Sequence, residues 1–592
     1  MVRPGSLLQP RSRTAETRGP APSRHAPTWS IFVGARAPAR RLPGGSLPRC
    51  RARRVEEASR VARVRFRVRG RFEGRIHLDP LFVGAGDRVN RTTRSRPPSP
   101  IALSVVLLQT LLLASACGPG RDAPTEASTT ASGGYDIVIA NGRVIDPDSG
   151  LDEIRHVGIR GRTIAAISET PLQGGATIDA SGLVVAPGFI DSHVNRPDLA
   201  SNRARAMDGV TTIFVTESAP LDIDGWYEEM TSSAVVHYGS AVGFWEARLE
   251  VVGDPALEGE ARWIDMEHTK ATPQQLQQVL ARLEAGLEKG AVGIGIPLEY
   301  VPAATQAEIL EVFRLAARHG APAHIHMRGW GYDEKRVRSY GDLYEVVSGS
   351  ILSGADVRVL HLDSSYNDWT PIGLELLGKA QQTGVRVSAD VTAYTYGGCP
   401  SSAAYFDDWE SYPDEYFSTK LQLASTGEWL TRERFRAIRE SPTEVPLLCH
   451  DNSEEMLTLA LASPLTTIGS DGGGTPHPRI AGTFSRVLGH YVRERKVLSL
   501  MDALAKMTVL QARHFEKRVP AMQRKGRLQV DADADIVVFD PQRIEDRSTV
   551  EDPLAFSVGV RHLLVVGNQV VVDGELRDGV LAGEPLRGRR RE

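Results

Sequence analysis

Nine residues able to bind a metal, move a proton or hold an anion stand at or just beyond the ends of short apolar runs: His193, Glu217, His324, His326, Arg328, His361, Asp390, Tyr394 and Asp471. The runs read VAPGFIDSH to His193, GVTTIFVTE to Glu217, PAHIH to His326, VRVLH to His361, VRVSAD to Asp390 and IGSD to Asp471. Imidazole nitrogens and carboxylate oxygens suit zinc, which at a catalytic site keeps one position open for water. One histidine at a strand end is more often hydrogen-bonded structure than ligand, and the convergence of several changes that reading. The four cysteines, Cys50, Cys117, Cys399 and Cys449, are too dispersed for a Cys-x-x-Cys metal site or a disulfide framework.

These runs need a scaffold that brings their ends together. Thr272-Pro273 opens a helix whose apolar stripe runs through Leu276, Leu280, Leu283 and Leu287 before Gly290 stops it, and a strand follows over 291–296. Thr305 and Glu308 form a capping box for the next helix, which Gly320 ends before Pro322-Ala-His-Ile-His326. A strand over 357–361, a helix from Thr370 to Ala380 and a strand over 385–390 keep a repeat of roughly 30 residues, the length of a βα unit in a parallel sheet. The fold class is therefore α/β, a (β/α)8 TIM-type barrel over 187–524, whose catalytic groups lie at the carboxyl ends of its strands. An open doubly wound sheet is the alternative, without the Gly-x-Gly-x-x-Gly turn of a dinucleotide site. Short strands at both ends, 135–186 and 525–582, predict a small β-sandwich domain, with hairpins at Asn141-Gly142 and Gly567-Asn568.

The motifs APGFIDSH, DGVTT, AGLEKGAVGIGIPLEYVP, HIHMR, VLHLDSS, IGSDGG, HPRIAGTFSRVLGHYVRE and KGRLQVDADADIVVFDP, spread from Tyr135 to about Gly574, resemble the amidohydrolase superfamily and, within it, the N-acyl-D-amino-acid deacylases. The pairing of Ser470-Asp471 with His477-Pro478-Arg479 is the most distinctive element. The resemblance implies hydrolysis of a non-peptide C–N amide bond in an N-acyl-D-amino acid. It gives His326 and His361 as zinc ligands, Glu217 as the third, and Asp471 as general base and acid. Arg479, Tyr394 and Ser401 or Ser402 are implied to hold the α-carboxylate of a small-molecule substrate, with the Tyr-Pro-Tyr pattern replaced by Thr392-Ala393-Tyr394. Where the superfamily carries His-x-His, this chain has His193-Val194-Asn195; His193 stays in the candidate metal set and one Zn2+ per chain is expected. Hydrolysis of cyclic amides or small peptides is the rival within the class. A catalytically disabled amidohydrolase-fold lipoprotein is the rival outside it.

Composition frames these readings. The 592 residues are 41% hydrophobic and 24% charged, enough for a large core. Residues 1–100 hold 23 Arg, no Lys and 6 acidic residues, a balance of +17, so the remainder carries −20 of the chain's net −3 and nucleic acid is not an expected partner. This basic stretch reads as translated GC-rich DNA upstream of the start, with Val89 an alternative initiator, or as a solvated extension. Arg91, Arg94 and Arg96, an apolar run over 101–113 and Ala114-Ser115-Ala116-Cys117 read as a bacterial signal peptide. It ends either in a lipobox, with a lipid anchor at Cys117, or in cleavage near Ala116, so a periplasmic or membrane-anchored exported protein is expected. Residues 1–117 thus form an extension and leader, and 118–134 a flexible tether. His237, His319, His450, His490, His514, His562, Cys399 and Cys449 read as structural, and Trp226, Tyr227, Trp245 and Trp263 as packing.

Overall fold

The computed structural model describes residues 134–328, 341–441, 443–450 and 452–590. The basic extension, the leader, Cys117 and the tether up to 133 lie outside the described residues. Among those described, no helix is long and apolar enough to cross a membrane.

The architecture is mixed α/β. Strands Phe189–Val194, Val210–Val215 and His237–Ser240 pair in parallel. Val242–Gly243, Ile294–Pro297, Ala323–His326, Val357–Val359, Val387–Val391 and Thr466–Ile468 form a second, six-stranded parallel sheet. Ala241 links the two sets, its N–H donating to Val215 O at 2.9 Å. Beyond the last strand, Asp471 N donates to His193 O at 2.8 Å and Asn195 N donates to Gly472 O at 3.0 Å. Because all the pairings are parallel, the ends carrying the candidate residues gather on one side.

The helices between the strands follow the expected rhythm, with one difference of chemistry. Helix Pro273–Glu288 has a complete capping box: Gln275 N donates to Thr272 Oγ1 and Thr272 N to Gln275 Oε1. Helix Gln306–Arg318 has only half of one. The Glu308 carboxylate is drawn into a buried ion pair with Arg248 and does not return to the cap. A buried Arg left unpaired costs more than an unfilled cap, so the pair prevails.

The β-rich pieces from the two ends are hydrogen-bonded into one nine-stranded sheet, not into the two facing sheets of a sandwich. Strand Tyr135–Asp146 runs straight through Asn141-Gly142, where a hairpin was expected; the irregular register there, with Asn141 at φ 61°, is absorbed as a bulge. The continuous strand pairs Gly174–Asp179 with its first half and Val184–Pro187 with its second, and this joins the layers. The sheet curls over its own core of Ile139, Val157, Ile164, Val185 and Ile536, while the alternate positions Val184, Ala186, Val537 and Phe539 pack into the large core with the parallel strands. The hairpin at Gly567-Asn568 forms as expected between Val560–Val565 and Asn568–Val572.

A fourth sheet, antiparallel and built of Gly397–Pro400, Pro446–Cys449 and Leu421–Leu423, is inserted after the Val387–Val391 strand, over an aromatic core containing Phe406, Phe417 and Phe435. Cys399 and Cys449, read from sequence as structural and too dispersed for a disulfide framework, form a disulfide that joins strand Gly397–Pro400 to the central strand Pro446–Cys449. Closing a loop of 50 residues stabilises this insert by roughly 4 kcal/mol in the chain-entropy description. Reduction, or the Cys399→Ala/Cys449→Ala pair, is expected to raise the proteolytic cleavage rate within 397–449 at least tenfold with little change elsewhere. Limited proteolysis with mass mapping checks this, and an unchanged pattern would refute it.

Candidate active site

Glu217 lies at the centre of the gathered strand ends. It follows strand Val210–Val215 and is 5% exposed. Its Oε1 lies 2.5 Å from His326 Nδ1 and 3.9 Å from His361 Nε2; its Oε2 lies 3.3 Å from His193 Nε2 and accepts from Asn195 Nδ2 at 3.1 Å. Strand Ile294–Pro297 can pass close behind because residue 295 is glycine: a Cβ there would meet Thr216 O at 2.5 Å and Glu217 O at 2.6 Å.

Asp471 completes the cluster from the opposite edge. Its Oδ1 accepts from Asn195 Nδ2 at 2.8 Å and sits 3.3 Å from His193 Nε2, while Oδ2 pairs with Arg479 Nη2 at 2.5 Å. The backbone is left-handed at Asp471, φ 50°, and the turn depends on Gly473, φ 129°, where a Cβ would lie 1.4 Å from Asn195 O. That contact is why glycines follow the acid.

His193, Glu217, His361 and Asp471 offer ligand atoms that all lie within 4.8 Å of one another. His326 stands just outside this group, against the Glu217 Oε1 that His361 also faces. Outer partners fix the rings of His193 and His326: Asp390 Oδ1 faces His193 Nδ1 at 3.3 Å and Glu299 Oε2 lies 2.6 Å from His326 Nε2, while Asp390 Oδ1 also accepts the backbone N–H of His361 at 2.6 Å.

The electrostatics of the cluster demand positive charge. Burial raises the Glu217 carboxyl, but hydrogen bonds from His193, His326 and His361 outweigh it and hold the group well below its ordinary range. Burial opposes charge on His326 too, yet Glu217 and Glu299 push it up to about 10. His193 is likewise raised against burial, by Asp390 and Asp471. For Asp471 burial dominates and raises the carboxyl, with Arg479 and His193 working against it. Four buried carboxylates, Glu217, Glu299, Asp390 and Asp471, therefore keep cations close, and either protons on the imidazoles or a divalent ion can fill that role. Two imidazoles and a carboxylate fit zinc.

Asn195 bears on how many ions fit. Ser218 N donates to its Oδ1 at 3.0 Å, which sets the amide so that its NH2 points to both Glu217 and Asp471. A donor thus occupies the place where a second metal would need an acceptor.

A cavity of ≈ 180 Å³ opens onto the cluster, lined by Glu217, His326, His361, Asp471 and Arg479, by Tyr300 and Trp245, and by Gly398, Pro400 and Pro446 of the inserted sheet. Three residues expected to bind substrate do not line it. Tyr394 is buried elsewhere, its hydroxyl donating to Asp546 at 3.0 Å beneath the Arg486 guanidinium. Ser401 Oγ accepts from Val445 N at 2.9 Å inside the insert, and Ser402 Oγ donates to Glu444 at 3.4 Å. Their hydroxyls are engaged by the fold that surrounds them. Arg328 pairs with Glu345 at 3.0 Å. Glu299, Tyr300 and Trp245 carry no motif for this role, although Glu299 and Tyr300 lie within the quoted LEYVP segment.

Comparison with known proteins bears on the same residues. The amidohydrolase family model matches residues 427–571. The chain is 32% identical over 507 residues to an N-acyl-D-glutamate deacylase of Alcaligenes xylosoxydans xylosoxydans, covering 76% of this chain and 98% of that protein. It is 28% identical over 480 residues to a D-aminoacylase of the same organism, covering 74% and 94%. Among solved structures, an N-acyl-D-glutamate deacylase from Bordetella bronchiseptica, complexed with zinc and a phosphonate mimic of the tetrahedral intermediate, superposes with TM-score 0.63 at 25% identity, over 77% of this chain and all of that one. A D-aminoacylase structure gives 0.65 at 25% identity, over 76% and 100%. An L-hydantoinase from Arthrobacter aurescens, at 20% identity and TM-score 0.51, shares the fold. Sequence and structure together place the chain in the amidohydrolase superfamily, among the N-acyl-D-amino-acid deacylases.

Proposed function

We propose that the protein is a zinc-dependent hydrolase that releases D-amino acids from N-acyl-D-amino acids. The observation that carries this reading is the shared Glu217 carboxylate, set between His326 and His361 on one side and His193 and Asn195 on the other, with Asp471 clamped beside it by Arg479. The parallel strands are read as a (β/α)8 barrel over 187–524, joined at 193–195 and 471–472, and the nine-stranded sheet as a small domain from 135–186 and 525–582.

Glu217, His326 and His361 would hold one zinc, which supplies Lewis-acid polarisation of the amide carbonyl and an acidified water. Asp471 accepts the proton of the attacking water on a carboxylate oxygen and returns it to the departing nitrogen, giving a carboxylic acid and a free amino acid. Asn195 and Arg479 hold that carboxylate in one orientation. Arg479 Nε is buried with no acceptor among the described residues, so the same guanidinium has a donor left for the substrate's α-carboxylate. Tyr300, edge-on to His326 at 5.2 Å between ring centroids, closes the apolar side. Export, with a possible lipid on Cys117, is part of the proposal; the Cys399–Cys449 disulfide supports an oxidising compartment.

The first experiment is zinc content of the 118–592 chain together with amine release from N-acetyl-D- and N-acetyl-L-amino acids. One zinc per chain with D-selective release is expected; folded protein that takes up no zinc and releases nothing would refute the reading. Asp471→Asn is expected to keep its zinc and lose roughly 10²- to 10⁴-fold in kcat, whereas Glu217→Gln should lose the zinc. Asn195→His should raise the stoichiometry towards two, because an acceptor nitrogen replaces the amide donor. Arg479→Ala should erase most of the preference for an N-acetyl-D-amino acid over its α-carboxamide, about 10- to 100-fold for a charge-assisted bond of roughly 1.5–3 kcal/mol. A preference that survives would assign the α-carboxylate to another group, and the absence of any preference in the unaltered protein would favour neutral cyclic amides as substrates.

A further inference from the structure

Beside the catalytic cavity lies a second one of ≈ 260 Å³. Trp245, Tyr300 and Glu444 line both, so a substrate reaching Asp471 can extend into it. Its walls are aromatic and acidic. The rings of Trp245 and Trp263 meet edge to face at 4.8 Å, and Trp245 stacks on Tyr300 at 5.4 Å. Glu260 and Glu267, on helix Gly259–His268, face the same space as Trp263.

Glu267 is the informative residue. It is 6% exposed, it lines the cavity, and its carboxylate accepts no hydrogen bond among the described residues. A buried carboxylate without a partner costs several kcal/mol, so the group holds its proton until a cation compensates the charge. The cations nearby are committed elsewhere: His268 Nε2 faces Asp407 at 2.8 Å, and Arg439 donates to Ser401 O at 2.9 Å and to Asp407 at 3.3 Å. Arg196 is exposed where the two cavities meet and is one cation against three carboxylates. Aromatic faces beside carboxylates form an environment for organic cations, which gain from the ring quadrupole and from the opposite charge together.

We propose that this second cavity is a specificity subsite for the positively charged end of the substrate, an ammonium or guanidinium carried on either the side chain or the acyl group of the N-acyl-D-amino acid. The assignment rests on the deacylase reading above. Burial, with Asp407 and Glu444 adding to it, pushes the Glu267 carboxyl up to about 8, and an incoming cation would draw it back to its charged form.

Two matched pairs separate the sources of the cation: N-acetyl-D-lysine against N-acetyl-D-norleucine, and N-(6-aminohexanoyl)-D-alanine against N-hexanoyl-D-alanine. In the zinc-loaded protein, kcat/KM for the charged member of one pair is expected to exceed that of its neutral partner at least tenfold. Glu267→Gln and Trp263→Leu should each shrink that ratio at least fivefold. A ratio of one or less in both pairs, or a ratio unmoved by both variants, overturns the proposal. Failure of the deacylase reading is a separate outcome, in which none of the four substrates releases amine. The subsite is then tested by titrating n-hexylammonium and following tryptophan emission. Saturable quenching that Glu267→Gln abolishes supports it, and absence of saturable quenching overturns it.

Discussion

A carboxylate taken out of water must be surrounded by donors or cations, and Glu217 is the group around which this molecule meets that demand. Each of its oxygens is approached from a different direction, Oε1 by the imidazoles at the ends of strands Ala323–His326 and Val357–Val359 and Oε2 by His193 and Asn195 at the end of strand Phe189–Val194. A carboxylate has enough lone pairs for all of them. A cysteine at this position would present one sulfur. The two-sided carboxylate is what lets a neutral amide at 195 stay bonded without leaving an orphan.

Holding Glu217 in place requires the first and last parallel strands to stay in register. Asp191 accepts both the N–H and the hydroxyl of Ser470, at 3.0 and 2.5 Å, and Arg205 donates to Gly472 O at 2.8 Å. Below this layer, Arg358 bonds Ser192 and Gln511, and Gln511 in turn donates to Ile468 O. These buried polar links are satisfied mainly by groups from different strands, so they position the turn that carries Asp471 as well as stabilise it. The left-handed backbone at His361 and Asp471 is tolerated because such bonds fix both sides of each turn.

The inserted antiparallel sheet gives the site its shape. Gly398, Pro400 and Pro446 come from the two strands that the disulfide joins and line the catalytic cavity, and Pro400 also lines the second cavity together with Trp263 and Glu267 of helix Gly259–His268. The candidate metal-binding and acid groups sit at the ends of the parallel strands and much of the cavity wall on the segments added above them, an arrangement that lets walls change while the groups beneath stay fixed.

Much of this was legible in the chain. Hydrophobic period, caps and glycine stops gave the strand and helix rhythm, because those signals are local. The residues at the run ends announced their chemistry by type alone, and the structure gathers His193, Glu217, His326, His361, Asp471 and Arg479 around one cavity. Local signals misled where a distant partner competed: Glu308 left its cap for Arg248, and the Asn141-Gly142 pair became a bulge inside a long strand; the Tyr394 hydroxyl, given a substrate role only by the family resemblance, went to Asp546. The roles of Glu299, Tyr300 and Trp245, the joining of Cys399 to Cys449 and the unpartnered carboxyl of Glu267 were decided only by tertiary structure. Each depends on which side chains meet across large sequence separations, and residue type and spacing do not encode that meeting.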